Sequence, residues 1–154
     1  MGRGPDEGRP APLPALSRVT AMHLILCLDS RDGMAFNGRR LSRDKIQREK
    51  MLGTVGDEKL ILRPSSAALF ENLPPNVQVT ESKEIPDGTY FFAERGEELP
   101  SPSSVERLVI YRWGRNYPAD EYAPVSDYIQ GKKLLAKSEF AGSSHPEMTE
   151  EVYA

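Results

Sequence analysis

Cysteine and histidine are scarce in this sequence: one cysteine, Cys27, and two histidines, His23 and His145. A lone thiol closes no disulfide within the chain, so no disulfide framework is expected. Cys27 sits inside an apolar run and reads as a small buried hydrophobe in a reducing, cytoplasmic setting. A metal that activates water needs about three protein ligands and an open position, and two distant histidines do not supply them; no metal is expected. Long apolar runs are missing too. None approaches the ~20 residues that a membrane-spanning helix requires. Neither charge dominates: 20 Lys and Arg stand against 23 Asp and Glu, a formal net charge of -3. That balance argues against attraction of nucleic acid by the whole surface. No internal repeat is visible.

What is present is an ordinary globular composition, 38% hydrophobic and 28% charged over 154 residues, enough for one domain with one core. Residues 1–21 differ from the rest. They carry Pro5, Pro10, Pro12 and Pro14 with three arginines and no apolar periodicity, and they lack the apolar core of a secretion signal. They read as a disordered tail, with Met22 as an alternative start, which mass spectrometry of the native N-terminus would decide.

Residues 22–154 read as a single α/β domain. The run His23–Asp29 is short, apolar and bounded by turn residues, as for a strand buried on both faces. Ser42 is the expected cap of a helix running to about Leu52, anchored by Ile46, Met51 and Leu52 and stopped by Gly53. Strands are expected at Lys59–Leu62, Val77–Thr80, Thr89–Ala93, Arg107–Tyr111 and Lys133–Phe140, with a second helix from Pro64 through Phe70. Trp113–Tyr122 reads as a loop or short helix, and Pro146–Tyr153 as a terminal helix or a closing strand. Strands alternating with helices imply a mostly parallel central sheet flanked by helices, closed by antiparallel strands after Lys132.

Charge is uneven locally. From Ser30 to Lys50 seven cations face three anions, an excess of four positive charges just past the first strand. Asn37, Arg39, Arg40, Arg43 and Asp44 lie there, where open α/β sheets bind ligands. Guanidinium forks match phosphate and carboxylate oxygens. Arg112 and Arg115 flank Trp113 at the end of the other strongly apolar strand, with Tyr117 beyond. If the two strands are neighbours, both arginine groups converge on one cleft, and Trp113 is placed to stack on a ring. A third group, Ser143, Ser144 and His145, puts hydroxyls beside an imidazole, with Glu139 or Glu147 as the nearest acids. A hydrogen-bonded turn is the preferred reading of that group, because adjacent residues rarely point at one another.

The order of motifs resembles a shortened dihydrofolate reductase. The first strand leads to Asn37-Gly38, Asp44 lies where that family carries a helix acid, and Arg63 with Ser65 and then Leu73-Pro74 fit its middle segment. Val109 to Gly114 followed by Tyr117 fits its late strand, and Ser138-Glu139-Phe140 its penultimate one. The resemblance implies the dihydrofolate reductase-like fold. The departures argue against the activity, because Arg40-Leu41 replace the family's Pro-Trp and Tyr111-Arg112-Trp113 replace its paired glycines. Glycines there let backbone approach a dinucleotide, and an arginine and an indole fill that space. A fold alone licenses no activity.

The segments Arg39–Asp44, Tyr111–Pro118 and Glu139–His145 also resemble a family of short, uncharacterised bacterial proteins that sometimes bear the label ribonuclease Z. An enzyme of that name holds two zinc ions with a His-x-His-x-Asp-His run, which this sequence does not contain. Together these readings favour a small protein binding an anionic, nucleotide-like or phosphate-bearing ligand between two Arg-rich loops. An RNA-binding or RNA-processing protein using the same arginines, and a non-catalytic interaction module on the same fold, are the alternatives. Whether it is an enzyme, and with what cofactor, substrate or oligomeric state, is not legible.

Overall fold

The computed structural model describes residues 21–154. The tail expected over residues 1–21 therefore lies outside the described residues, apart from Ala21. In chain order the elements are β1 (Met22–Leu28), β2 (Gly33–Phe36), β3 (Arg39–Arg40), α1 (Lys45–Val55), β4 (Leu60–Leu62), α2 (Pro64–Ala67) and β5 (Val77–Val79). Then come β6 (Tyr90–Phe92), β7 (Val105–Arg112), β8 (Glu121–Tyr122), α3 (Val125–Ile129), β9 (Leu134–Phe140) and β10 (Met148–Tyr153). A seven-stranded sheet runs in the order β5-β4-β6-β1-β7-β10-β9, and a small three-stranded sheet in the order β3-β2-β8.

The strands from β5 to β7 pair in parallel, and β10 joins β7 and β9 antiparallel, so the mostly parallel sheet with an antiparallel closure is borne out. Its apolar strands follow from alternation: successive side chains leave opposite faces. In β1, Leu24, Leu26 and Leu28 enter one core cluster with Ala35 and Tyr128. Ile25 and Cys27 enter the other, with Met51 and Val55 of α1. β7 divides the same way, Leu108 and Ile110 to the first cluster, Val109 and Tyr111 to the second. Continuous apolar runs are what a strand covered on both faces needs. Burial holds the Cys27 thiol well above its ordinary pKa. A thiol reagent is thus expected to leave Cys27 unmodified in native protein and to modify it fully in denaturant; prompt native labelling would contradict this packing.

Several elements differ from the sequence expectations. Asp44, not Ser42, caps α1: its carboxylate accepts from the Ile46 and Gln47 N–H groups. That phase buries Gln47, Met51 and Val55 at four-residue spacing and leaves Ile46 exposed. The helix passes through Gly53 and ends at Gly56, which takes a positive φ of 64°. The second helix is only Pro64–Ala67. The closing segment is strand β10, inserted between β7 and β9, so β9 becomes the exposed edge. The Asn37-Gly38 pair joins β2 to β3 with φ of 51° and 75°, the positive values that a tight two-residue hairpin turn needs. Neither that hairpin nor α3 is announced by apolar periodicity, because each is too short to show one.

Candidate functional site

The β2–β3 hairpin and the segment Leu41–Asp44 run past the carboxyl ends of β1 and β6. Here a cavity of about 630 Å³ is lined by Arg39, Arg40, Ser42, Arg43, Glu94 and Arg95, among others. Its three carboxylates are already engaged. Glu94 accepts from Arg40 Nε and Nη2, both at 2.9 Å, and from Ser66 Oγ at 2.6 Å. Glu98 accepts from the Glu94 N–H at 2.8 Å. Glu97 lies 3.5 Å from Arg95, which also pairs with Glu121 at 3.1 Å. Arg39 and Arg43 make no ion pair among the described residues. A second cavity, of about 510 Å³, shares Arg39 and Arg40 with the first; Asn37, Leu41 and Tyr117 complete its wall with Phe36 and Pro118.

Behind Ser42 the turn at Gly142–His145 closes on the cap of α1. Asp44 has no exposed side-chain surface, and its carboxylate accepts from the N–H groups of Ser143 and Ser144 at 2.9 and 2.8 Å. It also contacts His145 Nδ1 at 3.0 Å. Burial alone would raise this carboxyl's pKa, but the hydrogen bonds from Ser144, His145, Ser143 and Gln47 outweigh it and hold the group well below the usual carboxylate range. Gly142 is required at its position because a Cβ there would overlap the Asp44 carboxylate. His145 is itself buried. Its Nε2 lies 2.7 Å from Ser42 Oγ and 3.0 Å from the Tyr117 hydroxyl, and its ring lies against Trp113 at 4.6 Å between centroids. With Asp44 as acceptor, Nδ1 is the donor of the ring, and Nε2 faces the two hydroxyls.

Tyr117 is set in place by Asp29, a buried carboxylate at the end of β1 that accepts from the N–H groups of Arg31, Gly33 and Tyr117. No sequence pattern singles out Asp29; its role is visible only once the chain returns to it from 88 residues away.

The sequence-predicted residues thus fall into separate groups. Arg39, Arg40 and Arg43 share a cavity, and Asp44, Tyr117 and His145 meet behind it. Arg112 does not join them. β1 and β7 are neighbours, as expected, but Arg112 follows Tyr111 and so leaves the opposite face of the sheet. There it pairs with Asp32 at 2.8 Å and Glu151 at 3.5 Å. The two loops meet only where Tyr117 walls the second cavity with Asn37, Arg39 and Arg40; Arg112 and Arg115 line neither cavity. Trp113 is buried against His145 rather than offered to a ligand ring. Arg115 is exposed, with its guanidinium 5.9 Å from the Tyr117 ring. Glu139 is exposed on β9 and lines a different cavity with Gly114 and Glu147, so it is not the acid facing His145. Ser143 Oγ accepts from the Lys45 N–H, and Ser144 Oγ lies 3.2 Å from Asp44. Ser42, read from sequence as a helix cap, is one of two hydroxyls at His145 Nε2, beside that of Tyr117. Arg63 donates to the carbonyl oxygens of Thr80 and Ser82 and clamps that loop.

Among the described residues no group of three or more His, Cys, Asp and Glu is placed to hold a metal ion, and none of their helices is long and apolar enough to cross a membrane. No protein-family model matches the sequence, and no curated protein matches it. Among solved structures the chain is similar to a dihydrofolate reductase from Enterococcus faecalis complexed with NADP(H) and RAB-propyl. The TM-score is 0.53 at 11% identity, covering 86% of this chain and 95% of the other. The fold is dihydrofolate reductase-like, as the motif order implied. The likeness extends to the fold and no further.

Proposed function

We propose that this protein binds a small anionic ligand, phosphate-bearing and of nucleotide size, in the cavity lined by Arg39, Arg40 and Arg43. The observation that carries this reading is the pair Arg39 and Arg43, which line a concave site whose carboxylates already have partners. Guanidinium groups in such a setting favour phosphate or carboxylate oxygens. The volume falls within the range of small-ligand sites. An RNA-binding surface would call for an extended basic face, whereas Glu94, Glu97 and Glu98 interrupt the arginines of this cavity.

Pyrophosphate and nucleoside triphosphates are expected to raise the melting temperature. A ligand at about 100 times its Kd adds about 2.7 kcal/mol, several degrees for a chain of this size. Arg39→Ala and Arg43→Ala should each remove most of the shift. No shift across a nucleotide and pyrophosphate panel at low salt would sink the proposal. A response to short RNA only, falling steeply with salt, would move the reading to nucleic acid.

A further inference from the structure

Three side chains up to 103 residues apart in sequence form a line that the anion-binding reading leaves unused. Asp44 lies 3.0 Å from His145 Nδ1, and His145 Nε2 lies 2.7 Å from Ser42 Oγ. Ser42 lines the arginine cavity; the other two are buried behind it. We propose that Ser42 is a nucleophile, activated by His145 and positioned through Asp44, and that it cleaves carboxylic esters carrying a negative charge. The charge preference rests on the anion-binding reading of the cavity; the chemistry does not.

Geometry separates this arrangement from a helix cap. Ser42 Oγ makes no hydrogen bond to the α1 backbone; among the described residues its partner is His145 Nε2. The Asp44 carboxylate fixes the imidazole's tautomer, and the Trp113 indole at 4.6 Å fixes its plane. A nucleophile, a base within hydrogen-bond reach and a group orienting the base are the three parts that hydroxyl activation requires. Asp44 touches no substrate in this scheme and is a positioning residue.

In the first half-reaction His145 Nε2 takes the Ser42 proton as Oγ bonds to the ester carbonyl carbon. The oxyanion forms beside Arg39 and Arg43, then collapses, breaking the bond to the alcohol oxygen. The departing alcohol takes the proton from Nε2. Water then attacks the acyl-serine and gives its proton to Nε2. Expulsion of Ser42, which recovers that proton, releases the carboxylic acid. The net reaction is ester plus water to acid plus alcohol. Tyr117 competes for the same Nε2 lone pair from 3.0 Å. Its removal should therefore strengthen the serine's hold on the base.

The test uses the full chain with a fluorophosphonate, which marks an activated serine covalently, and two chromogenic esters, 4-nitrophenyl acetate and the anionic mono-4-nitrophenyl succinate. An adduct on Ser42 is expected, absent in Ser42→Ala and formed at least about a hundredfold more slowly in His145→Gln. Because buried His145 also supports the fold, Tyr117→Phe provides an independent arm. It should react faster than the native chain, which a purely structural role for His145 would not produce. The succinate should be preferred over the acetate, with the preference lost in Arg43→Ala. No Ser42 adduct in a chain that still gains stability from pyrophosphate overturns the relay and leaves the anion site intact. A Ser42 adduct with equal turnover of both esters overturns the charge preference.

Discussion

Asp44→Ala should lower the unfolding free energy by about 3–5 kcal/mol, measured by urea denaturation. The size follows from what one carboxylate holds. It caps α1 through the Ile46 and Gln47 N–H groups, and it receives the Ser143 and Ser144 N–H groups and His145 Nδ1 from the turn between β9 and β10. Losing an N-cap costs about 1 kcal/mol, and each buried donor left without an acceptor costs about 1–3 kcal/mol, less where water reaches it. A loss below about 1 kcal/mol would show that water replaces the carboxylate readily and that the turn does not depend on it. The same group sets an acid limb. Its folded pKa lies below its unfolded value, so its contribution is present above about pH 4 and is lost as pH falls through the folded pKa. Between those values the unfolded chain binds the extra proton, and stability must drop with falling pH. Asp44→Asn should be less stable at neutral pH and should show a shallower decline below about pH 4. Parallel declines in the two proteins would contradict the depressed pKa.

Glu94→Gln should weaken the fold and tighten the cavity's grip on anions. Glu94 is 8% exposed, and its two oxygens hold the Arg40 guanidinium and the Ser66 hydroxyl. Neutralising one partner of a mostly buried pair leaves the other charge uncompensated, a cost of about 3 kcal/mol. Arg40 is then released to the cavity that it already lines. One more guanidinium facing a phosphate should lower the Kd for pyrophosphate by about five- to tenfold, read by titration calorimetry. Unchanged affinity would mean that Glu94 does not set the charge of the site. Opposite changes in stability and binding are what a polar site held back by its own carboxylate should give.

The fold was legible because its signals are strong and local. Two apolar runs, at His23–Asp29 and Arg107–Tyr111, became the adjacent central strands β1 and β7. The site was legible in its parts and not in its grouping. Arg39, Arg40 and Arg43 do line a cavity, but the adjacency of β1 and β7 does not by itself bring Arg112 to it. The alternation of β7 assigns Arg112 and Trp113 to opposite faces, and applying that parity as far as residue 113 would have separated them. The pairing of Asp44 with His145 had no such cue, since 101 residues separate them and only the insertion of β10 beside β7 brings the turn back. Serine and aspartate cap helices about equally well, so residue type does not choose between Ser42 and Asp44; the phase of the buried Gln47, Met51 and Val55 decides for Asp44.

The Gly142–His145 turn also has a consequence for synthesis. A ribosome delivers Asp44 ahead of His145 by 101 residues, so the Asp44 carboxylate meets its partners in the turn only after the intervening strands are made. Chains cut short before Gly142 would carry the arginine cavity without the imidazole behind it. Closure of the β9–β10 hairpin is therefore the step that converts a basic hollow into an ordered Ser–His–Asp line, and chains cut before Gly142 should lack any reactivity at Ser42.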